Sequence, residues 1–314
     1  MSNKKLTELF DNFIKQQEYV AKISPETLRG YRTTFRLFTK LIGSNLAPID
    51  LTEDIMVDFF SKIGKNQDGG RPKDGPTVKN STVATYRSKL NKFFEWLVTR
   101  DEIKQNPLKN IPYPIVNYDD KQWLDKEDVE KIRTSIELKS KNLFLKKRNL
   151  AMLGVLLFCG LRRNELISLR IFDINLEKKM LTVNGITSKS KRQRIVPLNN
   201  QVIEYLKDYL KELKSKKDYK DQYLWASDSR NHRLTPNGLK HLVKTLRIRS
   251  SVKFHIHQCR HTFAMNTLIQ GTDVAKLKQL LGHQDIRMTA TYLRHIPSQA
   301  MADDLNKVNY NTIY

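Results

Sequence analysis

Six side chains stand out by type and by their order along the 314 residues. Arg162 lies in Gly160-Leu161-Arg162-Arg163-Asn164-Glu165-Leu166, and Lys189 follows in a basic stretch. His257 and Arg260 lie in His257-Gln258-Cys259-Arg260-His261, His283 closes Leu281-Gly282-His283, and Tyr292 comes nine residues later. Two arginines, a lysine, two histidines and a tyrosine, with no carboxylate pair and no metal-ligand cluster, suit phosphoryl transfer. A phosphodiester under attack gains negative charge on its non-bridging oxygens, and guanidinium forks can clamp those oxygens two at a time. Positive charge fixed in advance in a water-excluded site does the work otherwise done by Mg²⁺, and no acidic triad for Mg²⁺ stands out. A tyrosine phenol, with a pKa of about 10, needs a base and nearby positive charge before it attacks. The departing hydroxyl needs an acid, and Lys189 on a hairpin can supply the proton.

Each of these residues alone has an ordinary structural explanation. An arginine after a helix is usually solvated, a lysine on a hairpin tip is common, and a lone histidine caps or packs. Their joint order and spacing has no counterpart in the needs of a hydrophobic core. His257 and His261 share a helical face, with His255 beside them. No cysteine or carboxylate completes a metal site there, so neither a metal nor another cofactor is expected.

The elements that carry these residues follow from periodicity. Leu6, Leu9, Phe10, Phe13 and Ile14 mark a first helix face. Ser24-Pro25 opens a second helix with Leu28, Tyr31, Phe35, Phe38 and Ile42. Thr52 caps a third, carrying Ile55, Phe59 and Ile63, and residues 64–80 read as a loop. Val83, Tyr86, Leu90, Phe93 and Leu97 make a fourth, enough for a small bundle. Asn106-Pro107 to Pro114 reads as the end of the bundle and a linker. The spacing then predicts a helix capped by Asp125 and a buried helix over Phe144 to Leu157. Short strands are expected at 180–183 and 194–198, joined by a basic hairpin tip, and Thr235-Pro236 starts a later helix. The expected division is a helical domain at 1–111, a linker at 112–122, a second domain at 123–298 and a polar tail at 299–314.

A formal charge of +23 calls for a polyanionic partner. Nucleic acid comes first and an acidic membrane surface second, against the plain alternative of a soluble basic protein. No apolar run is long enough to span a bilayer, and no signal peptide is visible. Cys159 and Cys259, without framework spacing, fit a reducing cytoplasm. In the first domain Arg29, Arg32, Arg36, Arg87, Lys89 and Lys92 are expected to touch phosphates, which positions a protein without reading sequence. Lys191 and Arg192 of the hairpin belong to the same basic set. Lys240, Lys244, Arg247 and Arg249 mark either a DNA-groove helix or a solvated face.

The stretches GLRRNEL, TSKSKRQRIVPL, HQCRHTFA, LLGH and TATYLRH resemble the tyrosine recombinase, or phage integrase, family. The likeness covers the whole chain in layout and is specific in its second half. It implies a mainly α fold with a small antiparallel β-sheet: an N-terminal helical core-binding (SAM-like) domain, then an α+β catalytic domain. By this resemblance Arg162 and Arg260 clamp the phosphate, Lys189 protonates the leaving 5′-oxygen, and His257 is acid/base near the nucleophile. His283 bonds the phosphate, Tyr292 attacks to leave a 3′-phosphotyrosine, and Glu165 supports the site. Ser188 and Ser190 stand where the family often has glycine, Lys191 and Arg192 lie close to Lys189, and Arg163 replaces a residue that is often apolar.

The resemblance implies a site-specific recombinase that mobilises or resolves a mobile element through a Holliday junction. The alternative is Xer-type resolution of chromosome or plasmid dimers. A type IB topoisomerase and a catalytically dead DNA-binding protein are further rivals. The implied partners are double-stranded DNA with specific core sites, a homotetramer on paired sites, and an accessory DNA-bending or directionality factor. The 299–314 tail would dock on a neighbouring protomer. The protein would act in the cytoplasm, at the nucleoid, with no membrane partner.

Overall fold

The computed structural model describes residues 5–64, 78–116, 123–185, 192–216, 219–228 and 232–296. The chain divides into two compact units, Met1–Asp119 and Asp120–Tyr314. Both are mainly helical, with twelve α-helices and three short strands among the described residues. No helix among these residues is long and apolar enough to cross a membrane.

In the first unit, α1 (Leu6–Lys15) buries the face formed by Leu6, Leu9, Phe10, Phe13 and Ile14. It continues into a π-helical turn, Gln16–Val20, that periodicity does not reveal. There the Gln16 side-chain oxygen accepts from Trp96 Nε1 at 2.7 Å. Helix α2 (Pro25–Ile42) starts at Ser24, whose Oγ accepts from the Thr27 N–H, with Pro25 in the first turn. Thr52 caps α3 (Glu53–Gly64) by accepting from the Ile55 N–H. Helix α4 (Asn80–Val98) closes the bundle. Aromatic rings dominate the core: Phe10 stacks on Phe35 with centroids 3.8 Å apart and meets Phe93 edge-on.

After α4, Leu108 of the proline-rich stretch is fully buried in this core, and Asn80 Nδ2 donates to the Ile115 carbonyl. One expectation needs correction here: Arg87 is not free for phosphate. It is only 9% exposed and donates to the carbonyls of Leu108 and Ile111 at 3.0 and 2.6 Å, with its guanidinium over the Tyr113 ring. The physical reason is that carbonyls of an irregular, proline-rich segment still need donors when buried, and Arg87 supplies them.

The second unit is built round α6 (Leu143–Cys159), which is buried along most of its length. It follows α5 (Lys126–Lys139), capped by Asp125 through the Asp128 N–H. After the short α7 (Arg163–Ile167) comes an antiparallel sheet ordered β1 (Ile174–Asn175), β2 (Met180–Val183) and β3 (Arg194–Pro197). The two-residue β1 is too short to carry a periodic signal. Leu181 pairs with Val196, and Val183 with Arg194, so all four sit on the buried face of the sheet. Helix α8 (Asn200–Ser215) packs on α6, as does α10 (Ile256–Ile269). Between them in sequence, α9 (Pro236–Ser250) starts at the Thr235 cap and lies against α5. The chain then runs through α11 (Val274–Leu281), α12 (Arg287–Ala290) and a 3-10 helix at Thr291–His295. Lys189 and Lys191 of the hairpin and the tail at 299–314 lie outside the described residues.

Candidate active site

The site begins where α6 ends. Gly160 takes φ of +60°, and a Cβ there would meet Phe263 Cδ1 at 2.3 Å, so glycine is required both by conformation and by space. The turn delivers Arg162 to the N-cap of α7. Glu165, three residues on, accepts the Arg162 backbone N–H at 2.8 Å and its Nη1 at 3.0 Å. Arg163 is exposed.

Glu165 is 1% exposed and central. Arg194 from β3 donates to both its oxygens, Nη1 at 3.0 Å and Nη2 at 2.8 Å. Arg260 Nη1 lies 4.0 Å from it. Burial alone would push this carboxyl up. The Arg194 hydrogen bonds and charge, then the Arg162 N–H and charge, outweigh burial and hold it at about 2. One carboxylate among three guanidinium groups leaves the cluster net positive, as an anion site requires.

Arg260 reaches this cluster from α10. It is 1% exposed, and its two terminal nitrogens donate to the carbonyls of Gly160 and Leu281, both at 2.7 Å. These carbonyls close α6 and α11, whose C-terminal ends favour positive charge. Burial first, then the Arg162 charge, pulls Arg260 below the ordinary arginine value, and it remains protonated at neutral pH.

The histidines sit round the arginines. His283 follows Gly282, another left-handed glycine at φ +65°, and its Nδ1 is hydrogen-bonded to the buried Thr289 hydroxyl at 2.8 Å. That contact leaves Nε2 as the ring nitrogen turned away from Thr289. Burial, then Arg260, Arg162 and Arg194, push His283 down to about 3, so it is neutral without bound anion. His257, in the first turn of α10, keeps an exposed edge. Partial burial, followed by Arg260, His255 and Arg162, lowers it as well. The His261 ring centroid is 4.5 Å from that of His257 and 5.4 Å from that of Tyr292.

Tyr292 is on the 3-10 helix and 7% exposed, packed with Phe263, Met265, Leu268 and Leu281. Burial raises its phenol, while Arg260 and Arg162 pull the other way. The net result is a protonated tyrosine beside a positive cluster, inert until a base takes its proton. Among the described residues no group of three or more His, Cys, Asp and Glu is placed to hold a metal.

The structure therefore brings Arg162, Glu165, His257, Arg260, His283 and Tyr292 to one end of the second unit. Sequence reasoning missed two contributors, Arg194 and Thr289. Arg194 did leave a signal: in an alternating strand it shares the inward side with Val196, while Ile195 faces out. Thr289 left none, because only the fold brings its hydroxyl to His283.

Among the expected DNA contacts, Arg29, Arg32 and Arg36 are exposed on α2 at helical spacing, with Arg32 paired to Glu18 at 3.2 Å. Lys89 is half-buried and its ammonium lies across Gly30. Arg192 is exposed at the base of the hairpin. Lys240 and Lys244 are exposed on α9, where they line a groove of about 880 Å³ with Arg163, Arg247, His255 and His257. That groove runs up to a residue of the site itself.

Comparison with known proteins gives a consistent answer. The family model described as "Phage integrase family" matches residues 122–299, and "Phage integrase, N-terminal SAM-like domain" matches residues 8–101. A tyrosine recombinase of Pseudothermotoga lettingae is 28% identical over 308 residues, covering 96% of this chain and 99% of that protein. Tyrosine recombinase XerC of Bacillus pumilus is 28% identical over 301 residues, covering 93% and 92%. Among solved structures, the Tn1549 transposon integrase in complex with transposon right end DNA aligns with a TM-score of 0.75 at 16% identity, covering 97% and 99%. At that identity the likeness is one of fold.

Proposed function

The chain belongs to the phage integrase family of tyrosine recombinases, and from that premise we propose that Tyr292 attacks a DNA phosphodiester clamped by Arg162 and Arg260. The protein is a site-specific recombinase that breaks and rejoins DNA. In the proposed step the Tyr292 oxygen bonds to phosphorus while the bond from phosphorus to the 5′-oxygen breaks. His257 takes the phenol proton, and Lys189 gives one to the departing oxygen. The products are a 3′-phosphotyrosine and a free 5′-hydroxyl. The ester conserves the bond energy, so the reverse attack by a 5′-hydroxyl rejoins the strand without ATP. His283 holds the phosphate through Nε2. The observation that carries this reading is the convergence of Arg162 and Arg260 from separate segments on one buried carboxylate, with Tyr292 from a third segment within reach of both charges.

Duplex DNA is the partner, and the α9 groove with its lysines suits its phosphates. Four protomers on two core sites would exchange strands in pairs through a Holliday junction, with residues 299–314 docking on a neighbour and an accessory bending or directionality factor assisting. The protein would work in the cytoplasm at the nucleoid, moving or resolving a mobile element. Curated relatives named XerC and XerD favour a second reading, dimer resolution by an Xer-type enzyme.

The test uses nicked, labelled duplex DNA from the ends of its own element and a denaturing gel. A covalent complex that disappears in Tyr292→Phe while binding persists is the expected result. Tight binding with no complex on a cleavable site would sink the catalytic reading. Deleting residues 300–314 is expected to weaken synapsis and spare single-site binding.

A further inference from the structure

The Arg194 guanidinium has all three nitrogens committed to the protein. Nη1 and Nη2 fork onto Glu165, and Nε donates to the Leu280 carbonyl at 2.7 Å. Its side chain is 7% exposed. Arg162 differs: it gives Glu165 a single side-chain bond and remains 20% exposed. We propose that Arg194 is a positioning residue for strand cleavage: it takes up the negative charge of Glu165, so that Arg162 and Arg260 keep theirs for the scissile phosphate. This rests on the recombinase reading above.

The charge balance explains why such a residue is needed. Glu165 caps α7 and fixes Arg162 through the backbone N–H, so an acceptor oxygen at this place is indispensable to the geometry. Left with Arg162 and Arg260 alone, it would cancel one of the two charges meant for phosphate. A buried carboxylate with unused lone pairs would also draw Arg162 into a two-pronged pair and away from the DNA. Arg194 satisfies those lone pairs first. The groups facing Glu165 are Arg162 at the start of α7, Arg194 from β3 and Arg260 from α10, and all three are cationic.

The same side chain ties three segments together. It starts β3, five residues after Lys189 in sequence. It bonds to the end of α11, and a Cβ on Gly282 would come within 3.1 Å of its Cδ and Nη1. Gly282 leads directly into His283. Loss of the Arg194 fork therefore disturbs the Arg162 cap and the His283 turn at once.

The test compares wild type with Arg194→Gln, Arg194→Lys and the double variant Arg194→Gln with Glu165→Gln. The full chain is used, with covalent-complex formation on nicked duplex as one readout. A second, on protein without DNA, is titration of the Glu165 carboxyl by ¹³C NMR. Arg194→Gln is expected to slow cleavage about 100-fold, as misplacement of a reacting group does, with DNA affinity unchanged. Its Glu165 carboxyl is expected to titrate at a higher pH than in wild type. Arg194→Lys keeps the charge and is expected to retain much of the rate. The double variant removes the uncompensated carboxylate and is expected to be faster than Arg194→Gln alone. A double variant no faster than the single one, or a lysine variant as slow as the glutamine one, overturns the proposal in favour of plain packing. So does a Glu165 titration unmoved in Arg194→Gln. If wild type forms no covalent complex, the recombinase reading fails, and the carboxyl titration still decides whether Arg194 holds the charge.

Discussion

Phe10, Phe35, Phe38, Phe59, Phe93 and Phe94 fill the interior of the first unit, and Arg87 is the buried charge among its described residues, turned onto backbone carbonyls. The second unit buries Glu165, Arg194 and Arg260 together, a cluster that neutral packing could replace in volume. Buried ion pairs give little net stability against well-packed apolar residues. A fold concerned only with stability would use the first solution throughout. The second unit departs from it at this cluster, as the proposed phosphate clamp would require. All seven histidines of the chain also lie in the second unit, none in the first. Aromatic rings fill the core of the first unit, and the second adds a buried charge cluster to an apolar core of its own.

The contrast can be broken at several points, the largest first. Glu165→Ala strands three guanidinium groups and is expected to destabilise the second unit by about 4 kcal/mol, the usual cost of halving a buried pair. Hydrogen exchange should confine the lost protection to residues after 120. An unchanged profile would mean the cluster contributes nothing to folding. Phe93→Ala leaves a cavity among the rings and is expected to cost about 3 kcal/mol in the first unit. Chemical denaturation followed by exchange within α1 to α4 checks it. Arg87→Met removes donors from two carbonyls and is expected to cost about 2 kcal/mol there. Unlike loss of a phosphate contact, it should leave the salt dependence of DNA binding unaltered.

Acid gives a sharper division. His261 and His283 are held near 4 and 3, below the free histidine value of 6.5, so the unfolded chain binds more protons between those limits. Their contribution to stability is complete above pH 6.5 and is lost as pH falls through the folded values. The second unit should therefore weaken from about pH 6.5 downward. Replacing both histidines by phenylalanine should flatten that part of the profile and leave the first unit's profile as it was. The smallest effect is electrostatic: Lys240→Ala and Lys244→Ala should each lower the slope of log affinity against log salt by about 1. A slope that does not move would return α9 to a solvated face.

Much of the first unit was legible because a period of 3.6 residues and the caps at Ser24 and Thr52 specify helices locally. Arg87 was misjudged because an arginine's partners are set by what packs against its helix, here a segment about 20 residues away in sequence. The π-turn at Gln16–Val20 and the two-residue β1 carry too little pattern to be read. In the site, Arg162, Glu165, His257, Arg260, His283 and Tyr292 announced themselves by type and order. Arg194 looked like an ordinary strand start, and Thr289 like any helix threonine. Their roles depend on distances across the fold, which residue order does not encode.

Arg260 has one more consequence. Its terminal nitrogens are seated on the Gly160 and Leu281 carbonyls of the protein itself. The rotational freedom of that long side chain, about 2 kcal/mol at room temperature, is thus surrendered during folding and not at the encounter with DNA. Under the proposed function Arg260 then needs no reordering at the encounter with DNA, and the first chemical step waits on the release of Tyr292 from its apolar bed.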